Sequence, residues 1–144
     1  MNSSSARNAP AGSGPAARVL GVDVGNKRVG VAKADPLRMF AQPVGTFDPN
    51  TALERIRLIH ESDGVETVVV GWPLTEKGSE GPATRMVNTY VRRIRKAVPG
   101  VHIVRLDERY TSEEARDRLR TSRSGVPVDT IAAGIILQEY LDRN

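Results

Sequence analysis

The sequence has no cysteine, only two histidines and no long apolar stretch. Without cysteine the protein forms neither a disulfide nor a thiolate metal site, which fits the cytoplasm. His60 and His102 lie far apart in the chain and outside any metal-ligand spacing, so we expect both on the surface. No segment is long enough to span a membrane, and residues 1–17 lack the apolar core of a signal peptide. We therefore expect a cytoplasmic protein without a membrane partner.

The composition predicts one domain with an N-terminal tail. Residues 1–17 are mostly Ser, Ala, Gly and Pro without periodicity, which is typical of a disordered segment. Residues 18–144 suit a single compact domain with a real core. The net charge of +4, from 21 basic and 17 acidic residues, is mildly basic. Such a charge fits general solubility and phosphate recognition about equally well.

The order of elements predicts an α/β domain. Residues 18–25 and 28–32 form an apolar hairpin pattern, and Pro43 places the third predicted strand, 39–47, at the edge of a sheet. Further strands are predicted at 66–71 and 101–106, because both segments are short apolar runs. This β-β-β-α-β-α-β-α-α pattern predicts a five-stranded mixed sheet with helices packed on it.

Four helices are predicted from capping signals and apolar periodicity. The first runs from Thr51, with Glu54 as its capping-box partner, to a stop at Asp63 and Gly64. The second begins at Pro82 and ends near Val98. The third is a short helix over residues 111–120 with a second capping box, and the fourth begins at Asp129. The last helix is expected to point these residues inward: Ile131, Ala132, Ile135, Ile136 and Tyr140.

Asp23 is the most informative single residue, because it lies within the apolar first strand. An ionised carboxylate in such a strand is costly unless a cation or a set of hydrogen-bond donors compensates it. Asp23 therefore either caps the turn that follows the strand or holds a metal ion.

Two further acidic residues stand at element junctions, Glu108 after the fifth strand and Asp129 in the first turn of the last helix. Strand ends and helix starts can converge on one edge of a sheet, and three carboxylates brought together need cations to offset their repulsion. Carboxylate oxygens suit Mg²⁺ or Mn²⁺, and no His or Cys lies nearby to favour zinc. Paired ions of this kind stabilise the attacking and leaving oxygens of a phosphodiester. The pattern thus predicts a metal-dependent phosphodiesterase with Asp23, Glu108 and Asp129 as ligands.

Each acidic residue also has a structural interpretation. Asp129 could be a helix N-cap. Asp107 or Glu108 could pair with Arg105 or Arg109 as ordinary loop carboxylates. The shared metal site remains the better single explanation of all three positions.

Basic residues indicate a nucleic-acid ligand. At helical spacing, the second helix gathers Val87, Tyr90, Val91, Ile94 and Val98 on one side and a basic stripe on the other. Such a stripe could follow a phosphate backbone, although a solvated outer face is the commoner explanation. Another arginine cluster, residues 116–123, lies close to the predicted acidic site. The predicted nucleic-acid contacts are Lys27, Arg28, Arg85, Arg92, Lys96, Arg109, Arg120 and Arg123.

Four ordered motifs resemble the YqgF family, also called RuvX, of bacterial RNase H-like proteins. They are GVDVGNKRVGVA at 21–32, VGWPL at 70–74 with GSEG at 78–81, DERYT at 107–111, and VDTIAA at 128–133. The resemblance covers nearly everything after the tail. It implies an RNase H-like fold with the first strand central, and it implies that Asp23, Glu108 and Asp129 are the family's acidic site. It also implies nuclease activity, in maturation of the 5′ end of pre-16S rRNA or in resolving branched DNA.

Two features depart from the family pattern. Trp72 stands where the family usually has Leu, and its ring could stack on a base or, more simply, pack against the core. The loop 122–127 is short and lacks lysines, so Arg120 and Arg123 would replace them.

Other functions remain open at the level of sequence. Asp23 and Gly25 also resemble the first phosphate loop of actin-like ATPases, but the chain has no room for their second lobe. A nucleic-acid-binding assembly factor with a vestigial site is a further alternative. Cutting a four-way junction would favour a symmetric homodimer, because each of two strands then meets one site.

Overall fold

The computed structural model describes residues 17–75, 77–107 and 128–144. Five strands form one sheet: β1 (Arg18–Val24), β2 (Val29–Ala34), β3 (Ala41–Phe47), β4 (Val65–Trp72) and β5 (His102–Asp107). Within the same ranges the helices are α1 (Pro49–Asp63), α2 (Pro82–Ala97) and α3 (Val128–Arg143). The short helix predicted at 111–120 and the tail at 1–16 lie outside the described residues.

The strand order β3-β2-β1-β4-β5 makes β1 the central strand, as predicted. β2 is antiparallel to β1 and β3 is antiparallel to β2, whereas β4 runs parallel to β1 and β5 parallel to β4. The carboxyl ends of β1, β4 and β5 therefore meet at one edge of the sheet, which is formed by strand ends.

β3 is an edge strand, meaning the outermost strand on one side of the sheet. Pro43 can be tolerated there because its missing N–H breaks no inner ladder.

The two faces of the sheet carry different cores. On the first, here called the two-helix face, Leu20 and Val22 of β1 pack with Ile56 of α1 and Ile94 of α2. On the second, here called the one-helix face, Val19 and small residues of β2 pack against α3. Side chains alternate along a strand, so β1 sends Leu20, Val22 and Val24 to one face and Val19, Gly21 and Asp23 to the other.

Helix α3 lies unusually close to the sheet because Gly21 has no side chain. A Cβ atom at this position would lie 2.6 Å from the carbonyl oxygen of Ala133 and 2.6 Å from Cβ of Leu137. Of the residues predicted to point inward, Ile131, Ile135 and Ile136 are buried. Ala132 and Tyr140 are half-buried. The prediction missed Ala133, Leu137 and Leu141, which are also buried.

The start of α1 differs from the prediction, and the Thr51–Glu54 capping box is wrong. The N-cap is Asp48, whose Oδ1 accepts from the backbone N–H of Thr51 at 2.9 Å and whose Oδ2 accepts from the Thr51 hydroxyl at 2.6 Å. Pro49 then occupies the first turn, where its fixed φ suits a helix and its missing N–H costs nothing. Glu54 instead pairs with Arg57. The predicted stop holds, since Gly64 ends the helix with φ 79°.

His60 also differs from the prediction of a surface side chain. It is half-buried, and its Nδ1 accepts from the backbone N–H of Val65 at 3.0 Å. The imidazole therefore provides a hydrogen-bond acceptor for a backbone N–H at the junction between α1 and β4. His102 is exposed, as predicted.

Candidate acidic site

Asp23 lies one residue from the carboxyl end of the central strand, half-buried on the one-helix face. Its partner on β2 is Gly30. On β4 the neighbouring position is Gly71, one residue beyond the pair formed by Val22 and Val70. Because both are glycines, neither of these in-sheet neighbours places a side chain next to Asp23.

The first turn of α3 lies over the same row of residues. Thr46 of β3 pairs with Gly30, which pairs with Asp23, so the three form one row across the sheet. The hydroxyl of Thr46 lies 2.5 Å from the hydroxyl of Thr130, which is buried. Thr130 follows Asp129 directly, so the helix start that carries Asp129 lies beside the row that contains Asp23. The side chain of Asp129 is outside the described residues.

The end of β5 reaches the same edge. Gly71 pairs with Leu106, and Trp72 pairs with Asp107, the last residue of β5. Two inter-strand spacings separate β1 from β5, so Leu106 lies about 10 Å from Asp23 across the sheet. Glu108 is the next residue along the chain and lies outside the described residues. The structure thus brings the strand end before Glu108 to the edge near Asp23, while the position of Glu108 stays a prediction.

The environment of Asp23 suits a hard divalent cation. Its carboxylate is an oxygen donor of the kind that Mg²⁺ and Mn²⁺ prefer, and its in-sheet neighbours Gly30 and Gly71 carry no side chains. Within residues 17–75, 77–107 and 128–144, no three His, Cys, Asp or Glu side chains come close enough to hold a metal ion. Asp23 is the one predicted ligand whose side chain lies within the described residues. The predicted ligand set therefore remains a proposal.

Two positively charged side chains, Lys27 and Arg28, lie beside this edge. The β1–β2 turn is closed by the N–H of Gly25, which donates to the carbonyl of Arg28 at 2.9 Å. Lys27 and Arg28 are both exposed on this turn, and they line a cleft of about 380 Å³ with Thr46, Phe47 and Asp48. The turn thus places two positive charges near the end of β1. Arg109, Arg120 and Arg123 lie outside the described residues.

Helix α2 is amphipathic as predicted. The apolar set from Val87 to Val98 is buried. Arg85, Arg92 and Lys96 are exposed on the opposite side. This arrangement gives a continuous basic surface. Its use by a nucleic acid stays a prediction.

Trp72 packs on the two-helix face rather than beside Asp23. It is half-buried, and the guanidinium of Arg105 lies 5.2 Å from the centre of its ring. Arg105 also donates to Oδ1 of Asn88 at 2.8 Å. These contacts favour the packing role for Trp72 over base stacking. They also engage Arg105 with groups other than the carboxylates at 107 and 108.

The sequence reasoning missed two features of this site, the glycine row and the Thr46–Thr130 contact. The glycines were visible in the first two motifs, but only strand register shows that Gly30 and Gly71 both flank Asp23. The Thr46–Thr130 contact joins residues 84 positions apart, and no local pattern predicts it.

Among the described residues, none of the helices has both the length and the apolar character that a membrane span requires.

Comparisons with known proteins agree with this architecture. The family model described as RuvX, Holliday junction resolvase, matches residues 17–143. A protein of Salinibacter ruber named "Putative pre-16S rRNA nuclease" is 53% identical over 134 residues, covering 88% of this chain and 94% of that protein. A protein of the same name from Chlorobaculum tepidum is 42% identical over 132 residues, covering 87% of this chain and 93% of its own length.

The fold also matches a solved structure. The T. thermophilus RuvC in complex with Holliday junction substrate superposes with a TM-score of 0.65 at 13% identity, covering 88% of this chain and 94% of that one. At this identity the match shows the fold alone, which is the RNase H-like α/β fold. Together with the match over residues 17–143, it leads to one conclusion: the chain belongs to the RuvX family.

Proposed function

We propose that this protein is a metal-dependent nuclease whose acidic site consists of Asp23, Glu108 and Asp129. The observation that carries the proposal is the setting of Asp23. Its neighbours on β2 and β4 are glycines, the first turn of α3 contacts the row of residues that contains it, and β5 ends at the same edge. Glu108 and Asp129 are expected at the same strand end, and a divalent cation would offset the repulsion among the three carboxylates.

The residues divide the work as follows. Asp23 would anchor Mg²⁺ or Mn²⁺, with Glu108 and Asp129 completing the ligand set. When bound, these ions supply charge stabilisation to the attacking and leaving oxygens of a phosphodiester. Lys27 and Arg28 on the adjacent turn would hold the substrate's phosphates. The basic face of α2, with Arg85, Arg92 and Lys96, would position a longer stretch of backbone.

The substrate we favour is RNA, in the maturation of the 5′ end of pre-16S rRNA in the cytoplasm. The Salinibacter ruber and Chlorobaculum tepidum relatives are named as nucleases of pre-16S rRNA. An alternative is branched DNA, favoured by the family description and by the junction complex of the structural neighbour. That activity would call for a symmetric homodimer. A third alternative is an assembly factor that binds nucleic acid and cleaves it weakly.

Side-by-side cleavage tests these alternatives. Purified protein with Mn²⁺ is incubated with a pre-16S rRNA leader and with a four-way DNA junction, and Asp23→Asn serves as the blank. We expect cleavage of the leader by wild type, and a loss of at least about a hundredfold in Asp23→Asn, because charge stabilisation at the reacting phosphate is lost. Preferential cutting of the junction would replace the RNA assignment by the DNA one.

Two results would count against nuclease activity itself. One is cleavage of neither substrate by wild type with Mn²⁺ or Mg²⁺, combined with binding that needs no metal, which is the behaviour of the assembly factor. The other is cleavage by Asp23→Asn at the wild-type rate. Asp63→Asn is the matched control, because Asp63 pairs with Arg18 at 3.2 Å, at the opposite edge of the sheet.

A further inference from the structure

A second cleft lies on the two-helix face, across the sheet from the carboxylate of Asp23. It has a volume of about 240 Å³ and is formed by the β1–β2 turn, the start of α1 and the middle of α2. Its lining includes Val24, Asn26, Pro49, Met86, Tyr90 and Arg93. The lining combines apolar groups of Val24, Pro49 and Met86 with polar groups of Asn26, Thr89 and Arg93. This is the usual make-up of a site for a small organic ring with polar substituents.

Arg93 is the one charged residue of the cleft. Its guanidinium lies 5.6 Å from the centre of the Tyr90 ring and donates to Oδ1 of Asn50. Within the described parts of the chain no carboxylate lies within ion-pairing distance of it. A guanidinium has five N–H donors, so most of its donors remain available to an anion. Arginine presents these donors in a fixed fork that matches phosphate oxygens.

Tyr90 links two walls of the cleft. Its hydroxyl donates to the carbonyl of Pro49 at 2.8 Å, which ties α2 to the start of α1. Burial raises the pKa of Tyr90 above its ordinary value of 10.0, so the phenol stays protonated well above neutral pH. The ring in turn holds the guanidinium of Arg93 by a cation–π contact. The cation is therefore held in place before any ligand arrives.

The cleft adjoins the acidic site along the chain. Val24, which lines it, follows Asp23 directly, and the two side chains point to opposite faces of β1. The β1–β2 turn that joins the two faces carries Lys27 and Arg28 on its outer side. A single strand that crosses this turn would meet Asp23 on one face and Arg93 on the other within a few nucleotides.

We propose that this cleft binds one nucleotide of a single-stranded nucleic acid, a few nucleotides from the cleaved bond. Arg93 would hold its phosphate, and Met86, Val24 and Pro49 would contact its base or sugar. The proposal rests on the nuclease function proposed above and extends it. The part of the substrate that enters the cleft, on one side of the cleaved bond, would have to be single-stranded, since a duplex could not pass around the turn into the cleft.

Binding without metal tests the cleft apart from catalysis. A fluorescent short oligouridylate is titrated with protein in EDTA, and its anisotropy is measured over a range of salt concentrations. We expect Arg93→Ala to bind about tenfold more weakly and to reduce the slope of log K against log salt by about 0.7, the loss of one single-strand phosphate contact. Arg95→Ala removes the same charge from the same helix outside the cleft, so a smaller loss is expected.

A second variant separates binding from any effect of Arg93 on folding. Thr89 is exposed at the opening of the cleft, and Thr89→Leu would narrow it while leaving Arg93 in place. We expect Thr89→Leu to bind several-fold more weakly than Thr89→Ala, because both variants remove the hydroxyl that accepts from Arg92 and only leucine adds bulk. On adding the oligouridylate to wild type, the backbone amide NMR signals of Gly25, Asn26 and Thr89 should shift.

The proposal would be overturned if Arg93→Ala lost no more affinity than Arg95→Ala. It would also be overturned if the shifted amide signals were confined to the outer face of α2. The failure of the nuclease proposal gives a different result, because Asp23→Asn then cleaves like wild type whatever Arg93→Ala does to binding. Thermal melting of each variant checks that it is folded.

Discussion

The two faces of the central sheet are built on different principles. The two-helix face is filled by Val, Ile and Leu side chains that interlock with α1 and α2. The one-helix face has Ala32, Ala34 and Gly21 beneath α3, so the helix backbone itself comes close to the strands. The first face is stabilised by burying large apolar side chains. The second buries small side chains, which lets the backbone of α3 lie closer to the strands. This close approach brings the first turn of α3 to the row of residues that contains Asp23.

The largest expected effect is on the two-helix face. Ile94 is fully buried between α2 and the sheet, so Ile94→Ala removes apolar contacts and leaves a cavity. We expect the free energy of unfolding to fall by about 3 kcal/mol, measured by urea denaturation. Leu58 on α1 is 46% exposed, and Leu58→Ala should cost no more than about 0.5 kcal/mol. Equal losses in the two variants would contradict the assignment of the core.

On the one-helix face, adding a single methyl group should be harmful. Gly21→Ala would place Cβ within 2.6 Å of both Ala133 and Leu137. Because one of these contacts is with backbone, α3 must move, and we expect a loss of about 2 kcal/mol in urea denaturation. Gly134→Ala is the matched control, since a Cβ there meets nothing within 4 Å. It should stabilise by about 0.5–1 kcal/mol, because Ala favours helix over Gly.

Metal binding should stabilise the one-helix face through Asp23. With Mg²⁺ or Mn²⁺ at ten times its dissociation constant, we expect wild type to gain about 1.4 kcal/mol of unfolding free energy. Asp23→Asn should lose most of this gain, and Asp63→Asn should keep it, whatever its own stability. The measurement is the melting temperature with and without the ion. An equal ion-dependent gain in Asp23→Asn would remove Asp23 from the ligand set.

The smallest expected effect concerns the start of α1, on the two-helix face. Hydrogen bonds from Thr51 lower the pKa of Asp48 below 3.8. A carboxyl with a depressed folded pKa stabilises fully above its unfolded value and loses that contribution as pH falls through the folded value. Asp48→Ala should therefore melt below wild type at neutral pH, and the difference should shrink as pH falls below 3.8. Asp48→Asn keeps a cap acceptor without titrating, so the difference in melting temperature between Asp48→Asn and Asp48→Ala should not change over this pH range.

Much of the fold was predictable because it is encoded locally. Pro43 indicated an edge strand, and the apolar runs at 66–71 and 101–106 indicated two further strands. The periodicity of α2 predicted its buried set correctly. The prediction failed where two local signals competed. Thr51 with Glu54 resembled a capping box, but Asp48 followed by Pro49 is the stronger start.

The acidic site was less predictable. Asp23 stood out because a carboxylate in an apolar strand is costly, and its half-buried position agrees with that reasoning. The other two proposed ligands, Glu108 and the side chain of Asp129, remain predictions from sequence. The burial of α3 was also underestimated, because a helix covered on several sides has no polar stripe from which to read its inner face.

The sequence by itself determined the alternation of strands and helices, the family, and the presence of an unusual carboxylate at position 23. These follow from composition and short-range spacing. Only the tertiary structure decided that Gly30, Gly71 and Thr46 share a row with Asp23, and that α3 begins above that row. It also decided that a second cleft lies behind the same strand end. The physical reason is that strand register and the close approach at Gly21 join residues far apart in the chain.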